Sequence, residues 1–209
     1  MRNNIKYIDF AETFRARPLF SIKDIRKAYP DFQKRRLYEW QKKGYLVNIS
    51  KGYYIFSSLK PDERLLFYIA NKIRPCSYVS LETALAYYQL IPENVFSVTS
   101  VSTKKTIVLK SKLAGFIYKK ISPDIFFGYD LIRDGDRSFR LAKPEKAFID
   151  YFYLNPDLKS ESAFEALRVN AENFRGKVKK SVLSGMLGKT GNKGLSRRIS
   201  DFLEFIKNA

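Results

Sequence analysis

A basic stretch, a glycine and two β-prone runs within residues 31–56 constrain this chain more than any other feature of it. Pro30 turns the chain, and Asp31 is placed to cap a helix in which Leu37 and Trp40 form an apolar stripe one turn apart. Gly44 follows, where a helix end needs a residue able to adopt positive φ. Residues 45–49 and 53–56 are rich in β-branched and aromatic types, and Ser50-Lys51-Gly52 joins them as a tight turn. At about 100° per residue, Arg35, Tyr38 and Lys42 lie opposite the Leu37/Trp40 stripe, with Lys34 and Arg36 on its flanks. A short helix with a pinned apolar side and a cationic outer side, running into a two-stranded hairpin, predicts a winged helix-turn-helix.

The residues upstream agree. Residues 4–14 space Ile5, Ile8 and Phe10 for one apolar helix face, and Ser21 is placed to cap a second helix carrying Ile22, Ile25 and Tyr29. Three short helices and a hairpin in about 60 residues have the order and size of a DNA-binding winged helix. Leu59-Lys60-Pro61 reads as a junction, so the expected division is a winged helix over 1–60 and a mixed α/β domain with a helical C-terminus over 61–209. The predicted fold class is α+β.

In the second part, Asp62-Glu63 open a helix with Leu65, Leu66, Ile69 and Ile73, ended by Pro75. Ser80 is expected to cap a helix over 81–90. Strands are predicted over 96–101, 106–109, 115–121, 125–132 and 138–142, the last two joined by a turn at Asp134-Gly135-Asp136. Pro144 sits at a first helical turn, and helices are expected over 145–154, 162–170, 177–187 and 195–207.

Charge points to the partner. The chain has 39 Lys+Arg against 21 Asp+Glu, a formal net charge of +18, which points to nucleic acid or an anionic membrane surface; no membrane partner is expected, because the basic residues sit within folded elements and not on one long amphipathic helix. The excess is concentrated at the two ends: +9 over residues 1–60 and +6 over 170–209, against +3 between them. The chain has no histidine, which removes Ser-His and Cys-His nucleophile pairs, imidazole bases and His-containing metal sites. Two carboxylates at Asp134 and Asp136 are too few for a calcium loop. No catalytic residues, no metal and no cofactor are expected, and an enzyme is disfavoured. The single cysteine, Cys76, excludes an internal disulfide, fits a reducing cytoplasm and is expected to be a small buried filler. No leader is visible and no run approaches the length of a membrane span, so a soluble cytoplasmic protein is expected.

The DNA-facing candidates are Gln33, Lys34, Arg35, Arg36, Tyr38, Lys42 and Lys51. Gln33, Lys34 and Arg35 are placed to read bases, Gln33 lying nearest the core stripe, with the other cations neutralising phosphates. A second basic region, Lys177, Lys179, Lys180, Lys189, Lys193, Arg197 and Arg198, is either a solvated tail or a further face toward nucleic acid or a protein partner. Ser80, Glu82 and Thr83 are read as a helix cap and its supporting turn, with Tyr87 in the core and Tyr88 at its rim.

Residues 78–93, Tyr-Val-Ser-Leu-Glu-Thr-Ala-Leu-Ala-Tyr-Tyr-Gln-Leu-Ile-Pro-Glu, resemble the signature of AbiEi-type antitoxins, regulators in viral-defence operons. Val98-Thr99-Ser100-Val101 and the run from Ala142 to Asp150, with its Pro144-Glu145-Lys146-Ala147 start, are similar to further pieces of that family, as is Gly52-Tyr53-Tyr54 in the hairpin. The resemblance spans roughly residues 20–155. It implies a two-domain antitoxin: a winged helix that binds inverted repeats in its own promoter, and an α/β domain that counters a nucleotidyltransferase toxin without necessarily forming a stable complex. The alternative is an RNA- or toxin-binding module whose basic ends cover an acidic partner.

Overall fold

A computed structural model describes residues 5–92 and 96–207; the expected helix start at Asn4 and the motif's final Glu93 lie outside the described residues. The chain begins with helix α1 (Tyr7–Phe14), strand β1 (Phe20–Ser21), α2 (Ile22–Ala28) and α3 (Arg35–Lys42). It continues into β2 (Leu46–Ser50) and β3 (Tyr53–Phe56). Because α1 starts at Tyr7, Phe10 and Phe14 fall one turn apart on its inner face and are buried. Ile8 lies about 200° around from Phe10 and is 68% exposed, which corrects the expected Ile5/Ile8/Phe10 face.

Ser21 caps α2 through a complete capping box. Its hydroxyl accepts from the Asp24 amide, and the Asp24 carboxylate accepts from the Ser21 amide and hydroxyl. Burial works against the Asp24 charge, but the Ser21 donors, with Arg17 and Lys27 nearby, outweigh it and hold the carboxyl below its ordinary range. A carboxyl lowered on folding stabilises the protein fully above the unfolded carboxylate range and loses that contribution as pH falls through the folded value. Ser21→Ala is therefore expected to lose about 1 kcal/mol in denaturant unfolding at neutral pH, with a smaller difference in acid.

Helix α3 starts later than the capping pattern predicts. Asp31 does not cap it. Phe32 is buried with its ring 5.9 Å from Phe10 and 5.8 Å from Trp40. The chain turns at Pro30-Asp31, where the Phe32 amide donates to the Tyr29 carbonyl, and the first amides of α3, Arg36 and Leu37, donate back to the Gln33 and Lys34 carbonyls. Gly44 ends the helix region at φ +71°, as its position predicts.

The first sheet has the order β1-β3-β2, with Phe20 opposite Tyr54 and Leu46 opposite Phe56. Its two faces are both covered. Leu46, Tyr54 and Phe56 pack into a cluster with Phe10, Phe14, Phe20, Leu37 and Trp40. Val47, Ile49, Tyr53 and Ile55 face the other way, into the larger core of the chain. The strand period of two therefore puts one hairpin between two hydrophobic clusters.

That larger core is built from α4 (Glu63–Ile73), β4 (Ser77–Val79), α5 (Leu81–Tyr87), β5 (Ser97–Ser102), β6 (Ile107–Lys110), β7 (Gly115–Lys120), β8 (Tyr129–Asp134), β9 (Arg137–Ala142) and α6 (Pro144–Leu154). A six-stranded sheet runs β6-β7-β5-β4-β9-β8, parallel at β5/β7 and β4/β9 and antiparallel elsewhere. Helix α4 covers one face, where the Tyr118 hydroxyl donates to the Ala70 carbonyl and Phe67 meets Phe139 edge-on. Helix α6 covers the other, where Tyr78 reaches Asp150. The chain is thus a mixed α/β protein, and the turn at Gly135-Asp136 is a two-residue hairpin with Gly135 at φ +58°.

Three strand expectations change. β4 is too short to announce itself, and Phe96 is 94% exposed, outside β5. β8 begins at Tyr129 rather than 125, because Pro123–Ile125 forms a 3-10 turn and Gly128 takes φ +76°. The C-terminus holds α7 (Glu161–Ala166), α8 (Ala171–Lys177), α9 (Lys180–Thr190) and α10 (Lys193–Lys207). The expected 177–187 helix is shifted to Lys180–Thr190, because Val178 is buried in extended backbone ahead of it; α8 is not among the expected helices, and the expected 162–170 helix ends at Ala166. No helix among the described residues is long and apolar enough to cross a membrane.

Candidate nucleic-acid interface

Helix α3 presents its sides as the helical angle predicts. Leu37 and Trp40 are buried, while the Arg35 side chain is 85% exposed and Tyr38 is 58% exposed. Lys42 lies beside Tyr38, its ammonium 5.0 Å from the ring centroid, so cation and aromatic form one outward unit. Arg35 donates from Nε to Glu39 Oε1 at 3.0 Å, one turn on. Glu39 is a carboxylate within the basic face, and its i+4 spacing from Arg35 was the signal available in the sequence.

The other candidates divide. Gln33 and Lys34 are exposed but precede the helix, so Gln33 is not on the core side as its helical angle suggested. Arg36 turns inward: Nη2 donates to the Ile5 carbonyl at 2.6 Å and the guanidinium lies 5.6 Å from the Trp40 ring. Its guanidinium ties the backbone at Ile5 to α3, which removes it from the outward set. Lys51 stands exposed at the hairpin tip beside Gly52, at φ +82°. The tip is stiffened by Asn48, whose side-chain amide donates to the Ser50 and Tyr53 carbonyls at 3.0 and 3.3 Å.

Two of the C-terminal cations are engaged by the fold. Lys177 donates to the Tyr88 carbonyl at 2.6 Å and Arg198 to the Asn155 carbonyl at 3.0 Å, so both hold the fold together. Lys179, Lys180, Lys189, Lys193 and Arg197 are exposed, spread over the α8–α9 junction, α9 and α10.

The residues read as a helix cap do something else. Ser80 makes no cap bond to α5; its hydroxyl donates to Asp150 Oδ2 at 2.7 Å, and the Tyr78 hydroxyl donates to the same oxygen at 2.9 Å. Lys146, one turn before Asp150 on α6, pairs with Oδ1, and both side chains are 0% exposed. Burial pushes the Asp150 carboxyl up and the Lys146 ammonium down, each opposed by the attraction of the other. Gly128 sits at φ +76°, and a Cβ there would also stand 3.1 Å from the Lys146 side chain, so backbone strain and a tight contact both favour glycine beside the pair. Leu81, next to Ser80, is held at φ +58°. Thr83 is also structural: its hydroxyl donates to the Ser97 carbonyl and accepts from the Thr99 amide, tying α5 to β5. Sealed from solvent, the Lys146–Asp150–Ser80–Tyr78 group locks β4 to α6. The i,i+4 spacing of Lys146 and Asp150 was visible in the sequence; their burial was not.

Tyr87 and Tyr88 are both half-buried, with Tyr88 donating to the Ala142 carbonyl. Cys76 is exposed rather than buried, because it lies in the loop between α4 and β4. No group of three or more His, Cys, Asp or Glu side chains among the described residues is arranged to hold a metal. Comparison with known proteins finds no family model that matches the chain and no curated protein that matches it.

Proposed function

We propose that this chain is a winged-helix DNA-binding autorepressor that also serves as an antitoxin of the AbiEi type. The observation that carries the DNA-binding half is α3: its apolar side is packed, its outer side bears Arg35, Tyr38 and Lys42, and Lys51 stands at the tip of the hairpin that follows. A helix of this kind suits the major groove, with the hairpin tip on adjoining phosphates. The net charge of +18 supports a polyanionic partner. The antitoxin half rests on the resemblance of residues 78–93 and 142–150 to that family, with a nucleotidyltransferase toxin as the antagonised partner.

Duplex binding to the chain's own promoter tests the first half. Arg35→Ala is expected to cost about 1–3 kcal/mol on promoter DNA and to narrow the preference over random duplex. Lys51→Ala should weaken both about equally and reduce the log K against log salt slope by about one. Equal affinity of the unaltered protein for promoter and random duplex would defeat the repressor reading. Co-expression with the neighbouring toxin tests the second half, and continued growth arrest would defeat it.

A further inference from the structure

The middle of the chain is nearly neutral in total, but the fold gathers its cations. Between Ser102 and Ser122 there are six lysines, Lys104, Lys105, Lys110, Lys112, Lys119 and Lys120, and no carboxylate. All six are exposed, and none is in an ion pair with a described residue. The β6–β7 hairpin is what brings them together. Lys110 and Lys112 stand at its turn; at its open end the Lys120 amide donates to the Thr106 hydroxyl and Lys120 pairs with Ser102 of β5, which sets Lys119 and Lys120, on opposite faces of the strand, near Lys104 and Lys105. Arg74, at the end of α4, donates to the Lys105 carbonyl at 2.8 Å and adds a further cation there.

This edge of the large sheet lies next to the tip of the first hairpin. A groove of about 370 Å³ runs between them, with Lys51 on the tip side and Arg74 and Lys110 on the sheet side. No acidic residue lines it. Ammonium groups gathered at each end of this hairpin, with no carboxylate among residues 103–121, repel their neighbours, and a polyanion laid along the edge relieves that repulsion.

We propose that the β6–β7 edge is a second phosphate-binding surface, continuous with the Lys51 tip, that holds the backbone of the same duplex beyond the segment engaged by α3. The inference rests on the duplex-binding reading above and extends the footprint from the first hairpin onto the large sheet. Lysines on a strand edge make point-charge contacts with phosphates, so this surface adds affinity and salt dependence without reading sequence.

The test is the salt dependence of binding to a mixed-sequence duplex, measured with the full chain. Each phosphate neutralised contributes about 0.9 to the slope of log K against log salt. A variant carrying K105Q, K110Q, K119Q and K120Q is expected to lower that slope by about 3 and to bind at least about 10-fold more weakly near 0.1 M salt. The pair K60Q/K159Q, away from this edge, should lower the slope by less than about 1. Should the fourfold variant fold poorly by circular dichroism, the pair K110Q/K112Q gives the same reading, with an expected drop of about 1–2. An unchanged slope in the edge variants, while Arg35→Ala still weakens binding, overturns this inference and leaves the parent reading standing. Absence of duplex binding by the unaltered chain overturns both. Loss of single-stranded RNA binding alone in the edge variants also overturns it, since the surface then serves another nucleic acid.

Discussion

Asp150→Ala is expected to destabilise the protein by about 3–5 kcal/mol. The reason is what it leaves behind. Lys146 is fully enclosed, with its ammonium between Asp150 and the rings of Tyr78 and Phe127 at 5.7 and 5.2 Å. Without the carboxylate it becomes an unpaired buried charge, and the hydroxyls of Ser80 and Tyr78 lose their acceptor. The double variant Lys146→Met/Asp150→Asn removes the charge while keeping an acceptor for both hydroxyls, and it is expected to recover most of the loss. Denaturant unfolding of Asp150→Ala, Asp150→Asn, Lys146→Met and the double variant, the last three closing a cycle with the unaltered protein, measures this. If the double variant were as unstable as Asp150→Ala, the damage would lie in packing and the account of an orphaned ammonium would fail.

Trp40→Ala is expected to cost about 3–5 kcal/mol by deleting the centre of the smaller core. Trp40 is 4% exposed and touches Tyr7, Phe10 and Phe32 with ring centroids 5.5, 4.6 and 5.8 Å away. It also supports the Arg36 guanidinium, which holds the chain's start at Ile5. That cluster is separate from the larger one, so the loss should appear first as faster hydrogen exchange in α1, α2 and α3, with β4, β5 and α6 still protected. Uniform loss of protection across the chain would mean that the covered hairpin between the clusters makes them one cooperative unit. On the proposed function, duplex binding falls with α3 whichever residue faces the groove.

The helix–glycine–hairpin at residues 31–56 was legible because each of its signals is local. The apolar spacing of Leu37 and Trp40 picks the buried side of a helix, Gly44 at φ +71° ends it, and the tip at Lys51-Gly52 closes a hairpin that could form nowhere else. The outward position of Arg35, Tyr38 and Lys42 follows from the same angle. Asp31 misled because a capping pattern competes with burial of a neighbouring aromatic, and Phe32 won.

Periodicity and turn chemistry, which act over a few residues, therefore determined most of the helices and strands and the outward cations of α3. Tertiary structure decided what depends on residues far apart in the chain. It turned Arg36 inward to Ile5, spent Ser80 on a carboxylate seventy positions away instead of a helix end, covered both faces of the first hairpin, and set the Lys51 tip of that hairpin beside the lysine-bearing edge of the large sheet. A side chain's local pattern sets the direction in which it leaves the backbone, whereas the partner it meets there is chosen by how the elements pack.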